Sequence, residues 1–203
     1  MKKLAPVSAA ALAAALVLAG CGADTSAPES SPAVENMDHH GSADSPDAAA
    51  DHNSADTMFA QMMIPHHEQA VTMSDMMLAK EGLDPQIVEL ATEIKAAQGP
   101  EIKKIEEWLA AWDEPRAPME GHSMMMDGML SEDDLAQLEA AQGTEAAKLF
   151  LAQMIEHHQG AVEMAEEEVA DGSNADAVKL AEDIVTSQNA EIAQMQTLLQ
   201  DLA

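Results

Sequence analysis

The sequence predicts an all-α fold, a four-helix bundle made of two duplicated αα-hairpins, on three observations. From Asp56 onward the chain repeats itself at a spacing of about 91 residues. Within each copy, apolar residues recur at steps of three, four and seven, the period of one face of a helix. No segment shows the alternating β-branched pattern of a half-buried strand.

The elements follow in chain order. Residues 1–20 carry Lys2 and Lys3, a run of small apolar residues and leucines, and then Leu18-Ala19-Gly20 before Cys21. That layout is an export signal, absent from the mature protein. Leu-Ala-Gly-Cys resembles the lipobox of bacterial lipoproteins, which implies that Cys21, the only cysteine, is acylated. No other apolar run is long enough to span a bilayer. The expectation is therefore an extracytoplasmic protein of the cell envelope, anchored to a membrane by lipid. With its one thiol acylated, the folded part has no disulfide and no thiolate ligand, so packing must stabilise it. Residues 21–55 are Ala, Ser, Pro, Asp and Gly with almost no large apolar residue, and read as a disordered tether. Met37, His39, His40 and His52 within it read as linker residues or loose metal ligands.

Residues 56–202 hold copy one (56–112), a connecting segment (113–130) and copy two (131–202). Phe59, Met63, His66, His67, Ala70, Val71 and Met73 match Phe150, Met154, His157, His158, Ala161, Val162 and Met164 at a shift of 91. Ile94, Gln98, Glu101, Ile102 and Leu109 match Ile184, Gln188, Glu191, Ile192 and Leu199 at a shift of 90. Each copy reads as two helices, broken at Gly82 to Pro85 and at Asp171 to Asn174.

The formal net charge of -28 repels nucleic acid and anionic lipid, which argues against a nucleic-acid partner. Most of these carboxylates read as a solvated surface. The histidines are different. On a helical wheel His66 and His67 both border the apolar stripe, as do His157 and His158. In an antiparallel hairpin, Gln98 falls level with the first doublet and Gln188 with the second. Glu101 and Glu191 lie one turn on. Side-by-side hairpins would gather four His, two Gln and two Glu at one level, at a cost of several kcal/mol unless they satisfy one another or hold a cation. Both readings stand: a hydrogen-bond network in which Glu101 and Glu191 accept from the imidazoles, or a metal site. Pro65 and Gly99-Pro100 fall at the same level and are expected to kink their helices and open the layer to solvent or ligand.

The chain holds 16 methionines against two Trp, two Phe and no Tyr. Met124, Met125, Met126 and Met129, with His122, sit in a Pro- and Gly-containing segment where packing does not ask for them, and form a candidate auxiliary metal site. Thioethers select soft ions, and with imidazole they bind copper without an oxidisable thiol. Copper is the expected ion, Cu(I) first, with Ag(I) or Cu(II) as alternates. The Glu-x-x-His motif of di-iron bundle oxidases is missing, so an enzyme is not expected.

Met63 with His66-His67, Ala70 and Met73, then Gln98 with Glu101-Ile102 and Trp108-Leu109, together with "FLAQMIEHHQGAVEMA" and "SQNAEIAQM", resemble the bacterial family catalogued as domain of unknown function 305. The resemblance implies a ferritin-like four-helix bundle, and some members are exported copper- or silver-binding proteins. It further implies His66, His67, Met63 and Met73, with His157, His158, Met154 and Met164, as candidate ligands, leaving Gln98, Glu101, Gln188 and Glu191 as supporting or additional ligands. The expected function is copper buffering or transfer by a lipid-anchored envelope protein whose protein partner is unknown. The alternatives are a non-metal interaction module with a buried His/Gln/Glu network and a ferritin-like di-metal oxidase.

Overall fold

The computed structural model describes residues 52–117 and 128–202. They form four long helices and one short one: α1 Ser54–Leu78, α2 Pro85–Ala111, α3 Glu132–Ala140, α4 Gly143–Asp171 and α5 Ala175–Asp201. Among the described residues there is no strand, and no helix is long and apolar enough to cross a membrane. The residues read as leader and as most of the tether, including Cys21, Met37, His39 and His40, lie outside them, as do His122 and Met124 to Met126.

Local chemistry sets the helix ends. The Asn53 side chain accepts from the N–H groups of Ala55 and Asp56, and the Asp56 carboxylate accepts from Asn53 N–H at 2.6 Å. This reciprocal capping box starts α1 at Ser54, two residues before the expected boundary. His52, expected in the tether, stacks on Trp112 with ring centroids 4.6 Å apart. Asp84 caps α2 with Pro85 in its first turn, and Asn174 caps α5. The helix α3 was not expected. Its Ser131 and Asp134 form a second capping box and Leu138 is buried, but nine residues are too few for periodicity to announce a helix.

Within each hairpin the two helices pack together, α1 with α2 and α4 with α5, and the hairpins meet through α1 and α4. The buried apolar side chains divide into two clusters. One joins Ala70, Met73 and Met77 of α1 to Ile87, Leu90 and Ile94 of α2, Phe150 and Met154 of α4, and Met195 and Leu198 of α5. The other joins Phe59, Met63 and Ile64 to Ile105 and Leu109, Ala161 and Ala165, and Leu180 and Ile184. The later half of α1 thus meets the earlier half of α4, so these helices run antiparallel. The same holds for α2 and α5. No member of either cluster lies between residues 64 and 70, 94 and 105, 154 and 161, or 184 and 192. Those four gaps are one level of the bundle.

Trp112, where copy one ends, packs in the second cluster, and Leu138, early in copy two, packs in the first; the described chain resumes at Gly128 and leads into α3. Gln69 grips this stretch by accepting from Leu130 N–H at 2.7 Å and donating to Leu130 C=O at 3.0 Å. Gly128, with φ +82°, lies so close to α4 that a Cβ there would sit 2.7 Å from the Glu156 carbonyl oxygen and 3.2 Å from Gly160 Cα. Both obstacles are backbone and cannot swing aside. Gly128→Ala is expected to destabilise the protein by about 2 kcal/mol from the left-handed conformation and the clash together, measured as a lower urea midpoint; an unchanged midpoint would show that the connection does not dock there.

Candidate metal centre

The level that separates the two apolar clusters is where the histidine doublets converge. His66, His67, His157 and His158 are all fully buried. The His66 and His157 rings meet across the α1–α4 contact with centroids 3.7 Å apart, and His158 lies 6.3 Å from its neighbour His157. On the outer side of each doublet a glutamate from the hairpin partner closes the layer. His67 Nε2 is 2.9 Å from Glu101 Oε2, and His158 Nε2 is 2.6 Å from Glu191 Oε2. The two glutamates keep side-chain exposures of 23% and 20%, so they sit at the rim while holding fully buried rings.

That geometry decides the tautomer. A carboxylate facing Nε2 accepts from it, so in the neutral ring Nε2 carries the hydrogen and Nδ1 keeps its lone pair. His67 Nδ1 and His158 Nδ1 are buried with no donor facing them, and so are Gln98 Oε1 and Gln188 Oε1. These are at least four buried acceptors that the protein does not satisfy, each costing about 1–3 kcal/mol if left so. A cation offered to such a layer meets lone pairs. Burial, then the neighbouring His66, His158 and His67 rings, hold the His157 pKa well below the usual histidine value, opposed by a contact to the His66 backbone. His157 is thus neutral, as a ligand must be.

The proline pair does not open this layer. Pro65 lies inside a continuous α1 and Pro100 inside a continuous α2, and the histidines beside Pro65 have no exposure at all. Adjacent helices cover the level from both sides, which the sequence of one helix cannot reveal.

The sequence signature of the domain of unknown function 305 (DUF305) matches residues 56–199. The chain belongs to the DUF305 family. Among solved structures, this DUF305 chain is similar to a family protein from Streptomyces coelicolor that is described as secreted, at 31% identity over 76% of this chain and 95% of that one, TM-score 0.69. It is similar to a DUF305 fragment from Deinococcus radiodurans at 31% identity over 73% and 97%, TM-score 0.66. CopM in its Cu(I)-bound form matches at 36% identity over 72% and 96%, TM-score 0.61, and CopM has also been solved with Cu(II) and with Ag. Among curated proteins, none matches significantly.

The other residues singled out in the DUF305 sequence fall around the layer. Met63 and Met154 are fully buried one helical turn before their doublets, Met63 in the second cluster and Met154 in the first. Met73 is fully buried in the first cluster, whereas its counterpart Met164 is only partly buried against the second. By helical rise these two lie about 9 Å along the axis from His67 and His158. Met129 lines a groove of about 490 Å³ with Gln153, Glu156 and Glu163 on α4. Among the described residues, no three His, Cys, Asp or Glu side chains gather tightly enough to hold an ion unaided.

Proposed function

We propose that this DUF305 protein is a lipid-anchored envelope protein that binds Cu(I), with Ag(I) or Cu(II) as alternates, to buffer the ion or pass it on. The single observation that carries the reading is the duplicated pair His67–Glu101 and His158–Glu191, which leaves two buried Nδ1 lone pairs turned away from the glutamates. A carboxylate that fixes an imidazole from behind is the usual support of a metal-binding histidine. Fully buried thioethers of Met63 and Met154 one turn away add the soft donors that Cu(I) and Ag(I) favour. The likeness to CopM, solved with those ions, supports the choice of metal. The secreted description of the Streptomyces coelicolor protein agrees with the export leader that we assign; acylation of Cys21 is read from Leu18-Ala19-Gly20-Cys21. The four long helices make a bundle of the ferritin-like class, and its role is binding rather than catalysis.

The test is a Cu(I) competition titration of the chain that begins at residue 22. Affinity tighter than about micromolar is expected, weakening below about pH 6 as unoccupied imidazoles protonate. Affinity no tighter than micromolar would overturn the reading, and binding unchanged at pH 5 would move the site to the methionines near His122.

A second reading is favoured by the lack of a three-ligand His, Asp or Glu cluster among the described residues. The layer would then be a polar network that fixes helix register. It expects no rise in melting temperature with Cu(I).

A further inference from the structure

A second buried polar group lies at the end of the molecule where α1 begins. Asp56 is fully buried, and its carboxylate accepts from the backbone N–H groups of Asn53 at 2.6 Å, Ser173 at 3.2 Å and Asn174 at 2.9 Å, and from the Ser173 hydroxyl at 3.1 Å. Against it lies Glu168 of α4, 1% exposed, its carboxyl beside the same turn and within hydrogen-bonding reach of Asp56. Two ionised carboxylates cannot bond to one another, so one carries a proton. Asp56 is surrounded by donors, while no protein donor reaches either Glu168 oxygen. The proton therefore sits on Glu168, which donates to Asp56.

The turn is built around this arrangement. A Cβ on Gly172 would run into the Glu168 carboxyl and lie 2.6 Å from the Glu168 carbonyl oxygen. The Asn53 side chain ties the same junction by donating to the Asp171 carbonyl at 2.9 Å. The duplication supplies an internal control. At the shift of 91, the counterparts of Asp56 and Glu168 are Ala147 and Met77, both buried in the first apolar cluster. One end of the bundle closes on apolar contact and the other on an acid pair, so the fold itself does not require the acids.

We infer that Asp56 and Glu168 form a proton-locked clasp that fastens the start of α1 to the α4–α5 turn and loosens as pH rises. Burial, then the hydrogen bond to Asp56 and its negative charge, push Glu168 up to about 8. Burial also pushes Asp56 up, but the Glu168 proton and the backbone N–H groups outweigh it and hold Asp56 below its ordinary value. The other acids at this junction, Asp171 and Asp176, are exposed, and His52 on the approach to α1 faces Glu114 at 3.6 Å. When the junction opens, Glu168 returns to its ordinary value of 4.5 and releases the proton that the closed form keeps. The opening equilibrium therefore grows about tenfold per pH unit up to about pH 8 and then levels off.

Amide hydrogen exchange of Ser173 and Asn174 in the purified protein, corrected for intrinsic rates, tests this between pH 6.5 and 9. Protection is expected to fall about tenfold per pH unit up to about pH 8 and then to plateau. In Glu168→Gln, whose amide donates to Asp56 at every pH, protection should not vary. A flat wild-type profile, or the same slope in the variant, overturns the clasp. Should Glu168→Gln not fold, the side-chain carboxyl of wild-type Glu168, followed by ¹³C NMR, decides: a midpoint near 8 supports the clasp and one near 4.5 overturns it. The double variant Asp56→Ala with Glu168→Met copies the opposite junction; it should fold and lose the slope, and a retained slope overturns the assignment.

Discussion

Replacing His67 and His158 together by alanine is expected to weaken Cu(I) binding by at least about a hundredfold. The milder pair Glu101→Gln with Glu191→Gln should weaken it by about 10–100-fold, the range for residues that orient a ligand without touching the metal. The order follows from the geometry. Alanine removes the two Nδ1 lone pairs outright. Glutamine leaves the rings in place, but its amide can donate as well as accept, so the tautomer that directs the lone pair inward is no longer enforced. Competition against a Cu(I) chelator measures both, with helix content checked by circular dichroism. If affinity survives in the alanine pair, copper is held elsewhere. If the glutamine pair matches wild type, the carboxylates do not act on the site.

The second large effect is loss of stability of the metal-free protein in acid. His157 is buried among three other imidazoles and holds its pKa well below 6.5. Its unfolded counterpart takes up a proton near pH 6.5. Below that pH the unfolded state binds more protons, so stability is present above about 6.5 and is lost as pH falls, at about 1.4 kcal/mol per unit, until the folded pKa is reached. Glu168 has the opposite sign: its folded pKa of about 8 means that its contribution is full in acid and lost as pH rises toward 8. The two slopes oppose each other between about 4.5 and 6.5, which hides both in the wild type. In Glu168→Gln the histidine slope is exposed. Urea unfolding of that variant at pH 7, 6 and 5 should show it, and adding His157→Leu should abolish it. A slope unchanged by His157→Leu would assign the acid sensitivity to other groups.

Much of this centre was legible in the sequence because its information is local. Apolar residues at helical steps define which faces turn inward, and the copied doublet with Gln and Glu at matching heights defines one level. A hairpin with a short turn leaves little freedom of register, so the gathering of each doublet with its Gln and Glu at one height follows from counting along two helices, whereas the structure selects His67 for Glu101 and His158 for Glu191. The three exceptions have physical reasons. Nine residues of α3 carry a capping box but too little periodicity. The tether boundary fell short because Asn53 caps α1 through its side chain, before any apolar repeat begins. The prolines read as openings because they break rules within one helix, whereas burial of His66 and His67 is conferred by the helices around them.

By itself, the sequence determined the helical class, the duplicated hairpins, the height of the polar level and the family, since each depends on spacing within about 35 residues or on similarity between copies. Only the tertiary structure decided that the two hairpins run antiparallel, that His66 meets His157, and that the level divides the apolar core in two. It also brought Asp56 against Glu168, residues 112 apart whose copy-related counterparts are Ala147 and Met77. The reason is that contact between hairpins depends on how two apolar faces pack once formed, a choice made by burial over the whole interface and written in no single stretch of chain.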